Sequence, residues 1–274
     1  MSETYLISYK IRSNRVHLDP PRHVTVHAAP QAVADLVGNG YIVRERLFTG
    51  NDLDVLRDAA DGIEARHLET RKPGQGKGFG GLFIRNIIDQ HPAIETLLLK
   101  NPALVSVARA VIGPQVQVHA SVLRVAYPEL ENQNVEWHFH QRVVPDPEPP
   151  FFLRPVVLDN LIYLDDLSDD SGPLVVLPGS HNVNEDLPSG DFSDKPGQVV
   201  VRCPAGSVVT SHSSLWHKAF APRSGGGKRR LLIFGYSPVW LKPIDVPVKL
   251  RQRIAADPDA TEEQRELVGL TGYY

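Results

Sequence analysis

The chain reads as a mainly β protein, a sandwich or barrel core with helices packed outside it. Three observations predict this. Short runs rich in β-branched residues, at 116–125, 158–164, 174–177, 199–202, 207–210 and 230–236, are separated by Gly, Pro, Asp and Ser turns. No helical period runs between them, which argues against a parallel sheet alternating with helices. Helix-period segments are confined to the flanks, before residue 114 and after residue 247.

Taken in order, alternation of apolar and polar residues around 5–11 predicts an early strand or arm. A helix fits 30–37, with Val33, Leu36 and Val37 on one side, stopped by Gly38-Asn39-Gly40. Tyr41, Ile42 and Val43 form a short strand. Asn51 is read as the N-cap of a helix through Leu68, whose apolar stripe is Leu53, Val55, Leu56 and Ala59. Residues 72–81 are glycine-rich, and Gly76, Gly78 and Gly81 have the spacing of a dinucleotide-binding turn. That turn needs a strand before it and a helix after it; a helix precedes here, so the stretch is read as a mobile loop or an active-site lid. The helical stretch 93–112 is broken at Pro102 and ended by Gly113-Pro114. Beyond the β runs, Thr261 to Gln264 has the form of a capping box that starts a last helix. One domain over 1–274 results, with helical support at about 1–114, the β core at about 115–240 and a helical tail at 241–274.

Composition excludes several function classes. A net charge of -3 with no basic stripe argues against nucleic acid. No apolar run approaches ~18 residues, so no membrane helix is expected, and the start lacks a signal-peptide pattern; the expected location is the cytoplasm. Cys203 is the one cysteine, which excludes a disulfide framework and a thiolate-rich zinc site, and it reads as a buried thiol.

The chemistry is concentrated in Glu136-Trp137-His138-Phe139-His140-Gln141, in Leu215-Trp216-His217 and in Lys228-Arg229-Arg230. On a strand successive side chains alternate, so His138 and His140 share a face. Two imidazoles on one face, with a third about eighty residues on, make a candidate metal site.

With these residues in place the chain resembles the phytanoyl-CoA dioxygenase family of iron(II) and 2-oxoglutarate oxygenases. The matching pieces are Trp137-His138-Phe139-His140-Gln141 against the family's Trp-His-x-Asp, the run from Leu161 to Leu167, Ser171-Gly172-Pro173 through Pro178-Gly179-Ser180-His181, Leu215-Trp216-His217, and Arg229 through Tyr236. The order and spacing agree over about residues 30–240. The resemblance implies a double-stranded β-helix (jelly-roll) core, Fe(II) as the metal, and 2-oxoglutarate and O2 as co-substrates for oxidation of a small organic metabolite. It implies His138, His140 and His217 as metal ligands and catalytic residues. Arg229 rather than Arg230 is implied to bind 2-oxoglutarate, since arginine offers the planar bidentate partner a carboxylate wants. Oligomeric state is not readable, and a homodimer would be unsurprising.

His140 stands where the family has aspartate, and three readings stay open. His140 is a ligand in a three-histidine facial triad, leaving three positions of an octahedral iron. Or the register slips by two, so that His140, Gln141 and Arg142 occupy the motif and Asp146 or Glu136 supplies a carboxylate. Or iron is replaced, by zinc for instance, or lost with the activity. Ala219, where many relatives have a hydroxyl, and Ala126, where a Lys or Gln is common nearby, keep a 2-oxoglutarate-independent three-histidine dioxygenase open. A non-catalytic small-molecule-binding relative is the third possibility. His181, His212 and His119 are read as structural or pocket-wall histidines. Trp137 and Trp216 are read as packing that fixes the imidazoles, and Arg142 and Arg154 as candidate substrate contacts on a proline-rich loop.

Overall fold

The computed structural model describes residues 3–9, 22–72, 81–140, 156–183, 185 and 187–272. The glycine-rich run 73–80, Gln141, Arg142, Asp146, Arg154 and the rest of the proline-rich loop lie outside the described residues.

Two antiparallel sheets form the centre. The first has six strands, in spatial order β3 (Tyr41–Arg44), β10 (Val208–His212), β7 (Leu158–Tyr163), β12 (Arg229–Pro238), β5 (Val116–Ala126) and β4 (Leu82–Arg85). The second has four, β6 (Val135–His138), β11 (His217–Ala219), β8 (Leu174–Val176) and β9 (Val199–Val201). From β5 onward the chain passes back and forth between the sheets: β5, β7, β10 and β12 fall in one and β6, β8, β9 and β11 in the other. A separate two-stranded ribbon pairs β1 (Tyr5–Tyr9) with β2 (Arg22–Val26).

Side-chain alternation along these strands sorts the core into two layers. Leu161, Tyr163, Val209 and Leu231 of the large sheet pack with Leu174, Val176 and Val201 of the small one, so this cluster lies between the sheets. Leu232, Phe234 and Tyr236, on the opposite face of β12, pack outward against helices. Those helices are α1 (Pro30–Asn39), α2 (Gly50–Leu68), α4 (Pro102–Ile112), α5 (Val248–Ala256) and α6 (Glu262–Leu267), through Leu36, Leu56, Ile63, Leu104, Leu250 and Leu267. Burying each such side chain contributes about 1.5–3 kcal/mol. A short α3 (Pro92–Ile94) runs into a π-helical turn before α4.

Most expected elements are present, and a few differ. α1 continues through Gly38 and Asn39 to Gly40, whose φ of +83° ends it with the N–H bonded to the Leu36 carbonyl. The residue capping α2 is Thr49, not Asn51, because the helix already includes Gly50. Its buried stripe is Leu53, Leu56, Ala59, Ala60 and Ile63, while Val55 is half-buried. Pro102 opens α4, as a missing N–H costs nothing there, and Asn101 caps it. Thr261 and Gln264 form the reciprocal capping box. The segment before residue 115 supplies β3 and β4 to the large sheet as well as helices. Among the described residues no helix is long and apolar enough to cross a membrane.

Candidate metal centre

β6 and β11 are antiparallel neighbours, and His138 and His217 are partners in their register. His140 follows just past the end of β6, held by its backbone N–H to the Ser213 carbonyl at 2.7 Å. The ring centroids lie 4.1 Å apart for His138–His217, 5.0 Å for His140–His217 and 5.4 Å for His138–His140. One nitrogen from each ring falls within 4.8 Å of the others. Among the described residues these three form the group of His, Cys, Asp or Glu side chains placed to share an ion.

The strands are locked from behind. Trp137 and Trp216 precede the ligand candidates and pack with Val175 in a cluster of their own. The Trp137 indole donates to the Ser193 carbonyl at 2.7 Å. Buried Lys218 sets its ammonium 4.9 Å from the Trp137 ring centroid and donates to the Phe192 and Ser193 carbonyls. The expected packing role of both tryptophans follows from this placement.

Each imidazole is oriented through Nδ1. His138 Nδ1 donates to the Glu136 carbonyl at 2.9 Å and His217 Nδ1 to the Leu215 carbonyl at 2.8 Å. His140 Nδ1 lies 2.9 Å from Oδ2 of Asp159, on β7. A carbonyl only accepts, so in His138 and His217 the lone pair rests on Nε2, the tautomer metal ligation needs. Burial pushes the His217 pKa well below the ordinary histidine value, and the neighbouring His138 and His140 add to this, so the ring is neutral at neutral pH. For Asp159, burial works to raise the carboxyl. The hydrogen bond from His140 and the charges of His140, His119 and His212 outweigh it, and the group is held below the usual aspartate range. Of the carboxylates in the slipped register, Glu136 accepts the Gly190 N–H instead.

Strand alternation separates the two arginines of β12. Arg230 faces outward, its guanidinium bonded to Asp165 at 2.6 Å and to Asp61 at 2.7 Å. Arg229 is 3% exposed and donates through Nη1 to the carbonyls of Ser171, Gly172 and Phe220. Burial lowers its pKa, and Tyr163 works the other way. A second cation, not singled out in the sequence, belongs to the same region. Arg124 of β5 lies opposite Leu231, donates to the Gln133 carbonyl at 3.2 Å, acts electrostatically on His217 and feels the charge of Arg229. Burial, then the charge of Arg229, brings its pKa down to about 10. Ala126, paired with Arg229, offers no polar group, and Ala219 no hydroxyl.

His181, His212 and His119 are not members of the three-histidine group. His181 Nε2 donates to the Val37 carbonyl at 3.0 Å, and His212 Nδ1 accepts from the Ser214 N–H at 3.0 Å. His119 is buried beside the β-bulge at Gly235 and Tyr236, close enough to Asp159 and Asp245 for both to act on its charge. Asp159 escaped the sequence reading. Its available signal was an aspartate inside a strand with no turn nearby, since a buried carboxylate requires a partner.

Comparison with known proteins bears on the fold and the family. The chain is 28% identical over 155 residues to the ectoine dioxygenase of Bordetella bronchiseptica, covering 52% of this chain and 46% of that protein. It is 23% identical over 235 residues to the L-proline trans-4-hydroxylase of Streptomyces griseoviridis, covering 75% and 85% respectively. The chain spans about half the length of the ectoine dioxygenases it matches. Among solved structures, the non-heme α-ketoglutarate-dependent carbocyclase SnoK from nogalamycin biosynthesis superposes with a TM-score of 0.62 at 22% identity, covering 77% of this chain and 84% of that one. HygX from Streptomyces hygroscopicus, with nickel and 2-oxoglutarate bound, gives 0.62 at 16% identity, covering 78% and 89%. These structures show the fold, the double-stranded β-helix expected above. The family model described as Phytanoyl-CoA dioxygenase (PhyH) matches residues 36–231 of the 274, and the chain belongs to that family.

Proposed function

We propose that the protein is a mononuclear non-haem iron(II) oxygenase that oxidises a small organic metabolite with O2 and 2-oxoglutarate. The observation that carries this is the convergence of His138, His140 and His217, with the Nδ1 of each ring engaged so that Nε2 serves the metal. The donor set fits a divalent ion that keeps three positions for other ligands. Bound there, iron supplies O2 activation coupled to oxidative decarboxylation of 2-oxoglutarate to succinate and CO2.

The chain's own residues bind and shield. Arg229 holds the distal carboxylate of 2-oxoglutarate: a permanently charged group is already buried there, and an incoming anion offsets its desolvation. Arg124 keeps the same region positive. Leu161, Tyr163, Val176, Leu215 and Leu231 form one apolar cluster, and Tyr163 of that cluster is close enough to act on both arginine charges. Relatives named for ectoine and L-proline support a small metabolite as substrate rather than a polymer.

Two observations favour a rival. Three neutral imidazoles leave the ion's charge uncompensated among its ligands, and Ala219 withholds a hydroxyl, which suits a dioxygenase that dispenses with 2-oxoglutarate. The deciding experiment loads apoprotein with Fe(II) without oxygen, adds 2-oxoglutarate and records the visible metal-to-ligand charge-transfer band. The proposal expects a band that disappears in Arg229→Ala and in His217→Ala. Bound iron with no band selects the rival, and an absence of bound iron removes both.

A further inference from the structure

We infer that Asp159 is the carboxylate of this centre, acting one hydrogen bond out from the metal through His140 instead of ligating it. The inference rests on the three-histidine reading above. Asp159 is 4% exposed, and its Oδ2 lies 2.9 Å from His140 Nδ1. Its other oxygen faces β12, where the register partner of Asp159 is Gly235. A Cβ at Gly235 would sit 2.7 Å from Oδ1, inside contact distance, so the sheet keeps room for this carboxylate. The neighbours on that strand, Ile233, Phe234 and Tyr236, are all large; the small residue coincides with the aspartate.

The chemistry gives the arrangement a purpose. A buried carboxylate is costly unless a strong donor meets it. An imidazole ligating a cation is such a donor, and the carboxylate in turn fixes the tautomer, orients the ring and raises the basicity of Nε2. Where the family's aspartate binds the metal directly, one negative charge enters the inner shell. Here His140 takes that position, and Asp159 returns the same charge behind it. Asp159 is therefore a positioning residue, and its loss should appear in metal affinity before any question of turnover.

The test is anaerobic titration of Fe(II), with Co(II) as a spectroscopic substitute, into wild type, His217→Ala, Asp159→Ala and Asp159→Asn, each also checked for folding. Loss of such an outer partner weakens metal binding about 10–100-fold. Asp159→Ala should fall toward the larger end. Asp159→Asn keeps an oxygen acceptor but loses the charge, and should fall about 10-fold; it decides the matter if the alanine variant does not fold. The same Asn change is then made in His140→Asp, which restores the family's ligand. There the two carboxylates repel, so Asp159→Asn should leave affinity unchanged or tighten it. Equal losses in both backgrounds would mean that Asp159 supports the fold alone, and wild-type affinity in Asp159→Asn would likewise overturn the inference. Failure of wild type itself to bind metal would instead sink the functional reading on which it rests.

Discussion

Gly172→Ala connects the shape of one turn to the anion site. Gly172 has φ of +82°, where an alanine costs about 1–2 kcal/mol. Its Cβ would also lie 2.3 Å from the Phe220 carbonyl oxygen and 2.6 Å from the carbonyl of Ala221, both backbone atoms with no rotamer to escape into. Relief requires moving that strand end, and the Phe220 and Gly172 carbonyls are themselves acceptors of the buried Arg229 guanidinium. Weakening one such charge-assisted bond adds about 1.5–3 kcal/mol. The sum is about 2.5–5 kcal/mol. For a chain of this size that lowers Tm by roughly 5–20 °C, at about 2–4 °C per kcal/mol. Thermal unfolding followed by circular dichroism measures the loss, and 2-oxoglutarate titration of the iron-loaded variant measures the anchor. The expected pattern is weaker 2-oxoglutarate binding with Fe(II) affinity retained. A Tm within about 2 °C of wild type, together with unchanged 2-oxoglutarate affinity, would refute the reasoning.

Further expectations concern single side chains. Arg229→Ala should abolish 2-oxoglutarate binding, whereas Arg230→Ala, losing its pairs to Asp165 and Asp61, should cost about 1 kcal/mol in urea unfolding and leave that binding intact; the reverse pattern would exchange their roles. Burial pushes the Cys203 thiol up to about 11, so it should resist a disulfide reagent at pH 8 in the folded protein and react fully in urea. The depressed His217 pKa means that the unfolded chain binds the extra proton first. Stability of the metal-free protein is therefore full above the ordinary value of 6.5 and lost as pH falls below it. Urea midpoints between pH 7.5 and 5 should show that slope, and His217→Gln should flatten it; equal slopes would contradict the assignment.

Much of the fold was legible because strands and turns announce themselves locally. The six β runs between residues 116 and 236 reappear within a residue or two, since β-branched alternation and Gly/Pro punctuation are properties of the segment itself. The strands not foreseen, β2 and β4, are defined by their pairing with β1 and β5. The histidines were legible because two of them share a short run and the third follows the same Trp-His pair. Alternation allowed only one of Arg229 and Arg230 to face inward, and the spacing of the resembled family selected Arg229. Asp159 and Arg124 were not legible. Each sits in a largely buried strand, and its meaning comes from a register with β12 that no local pattern encodes. Asn160, beside Asp159, shows why polarity alone could not distinguish them. It is equally buried, yet its amide is satisfied by the Phe234 carbonyl and the Thr210 hydroxyl on the opposite face, a purely structural role.

The central claim is that three imidazoles and no protein carboxylate hold the metal. Determining the crystal structure of the Fe(II)-loaded protein, with anomalous data collected at the iron edge, tests it most directly. The account predicts one iron bound by a nitrogen from each of His138, His140 and His217, with Asp159 still on Nδ1 of His140. An oxygen ligand from Asp159, Glu136 or Asp146, or an iron peak away from these histidines, would contradict it.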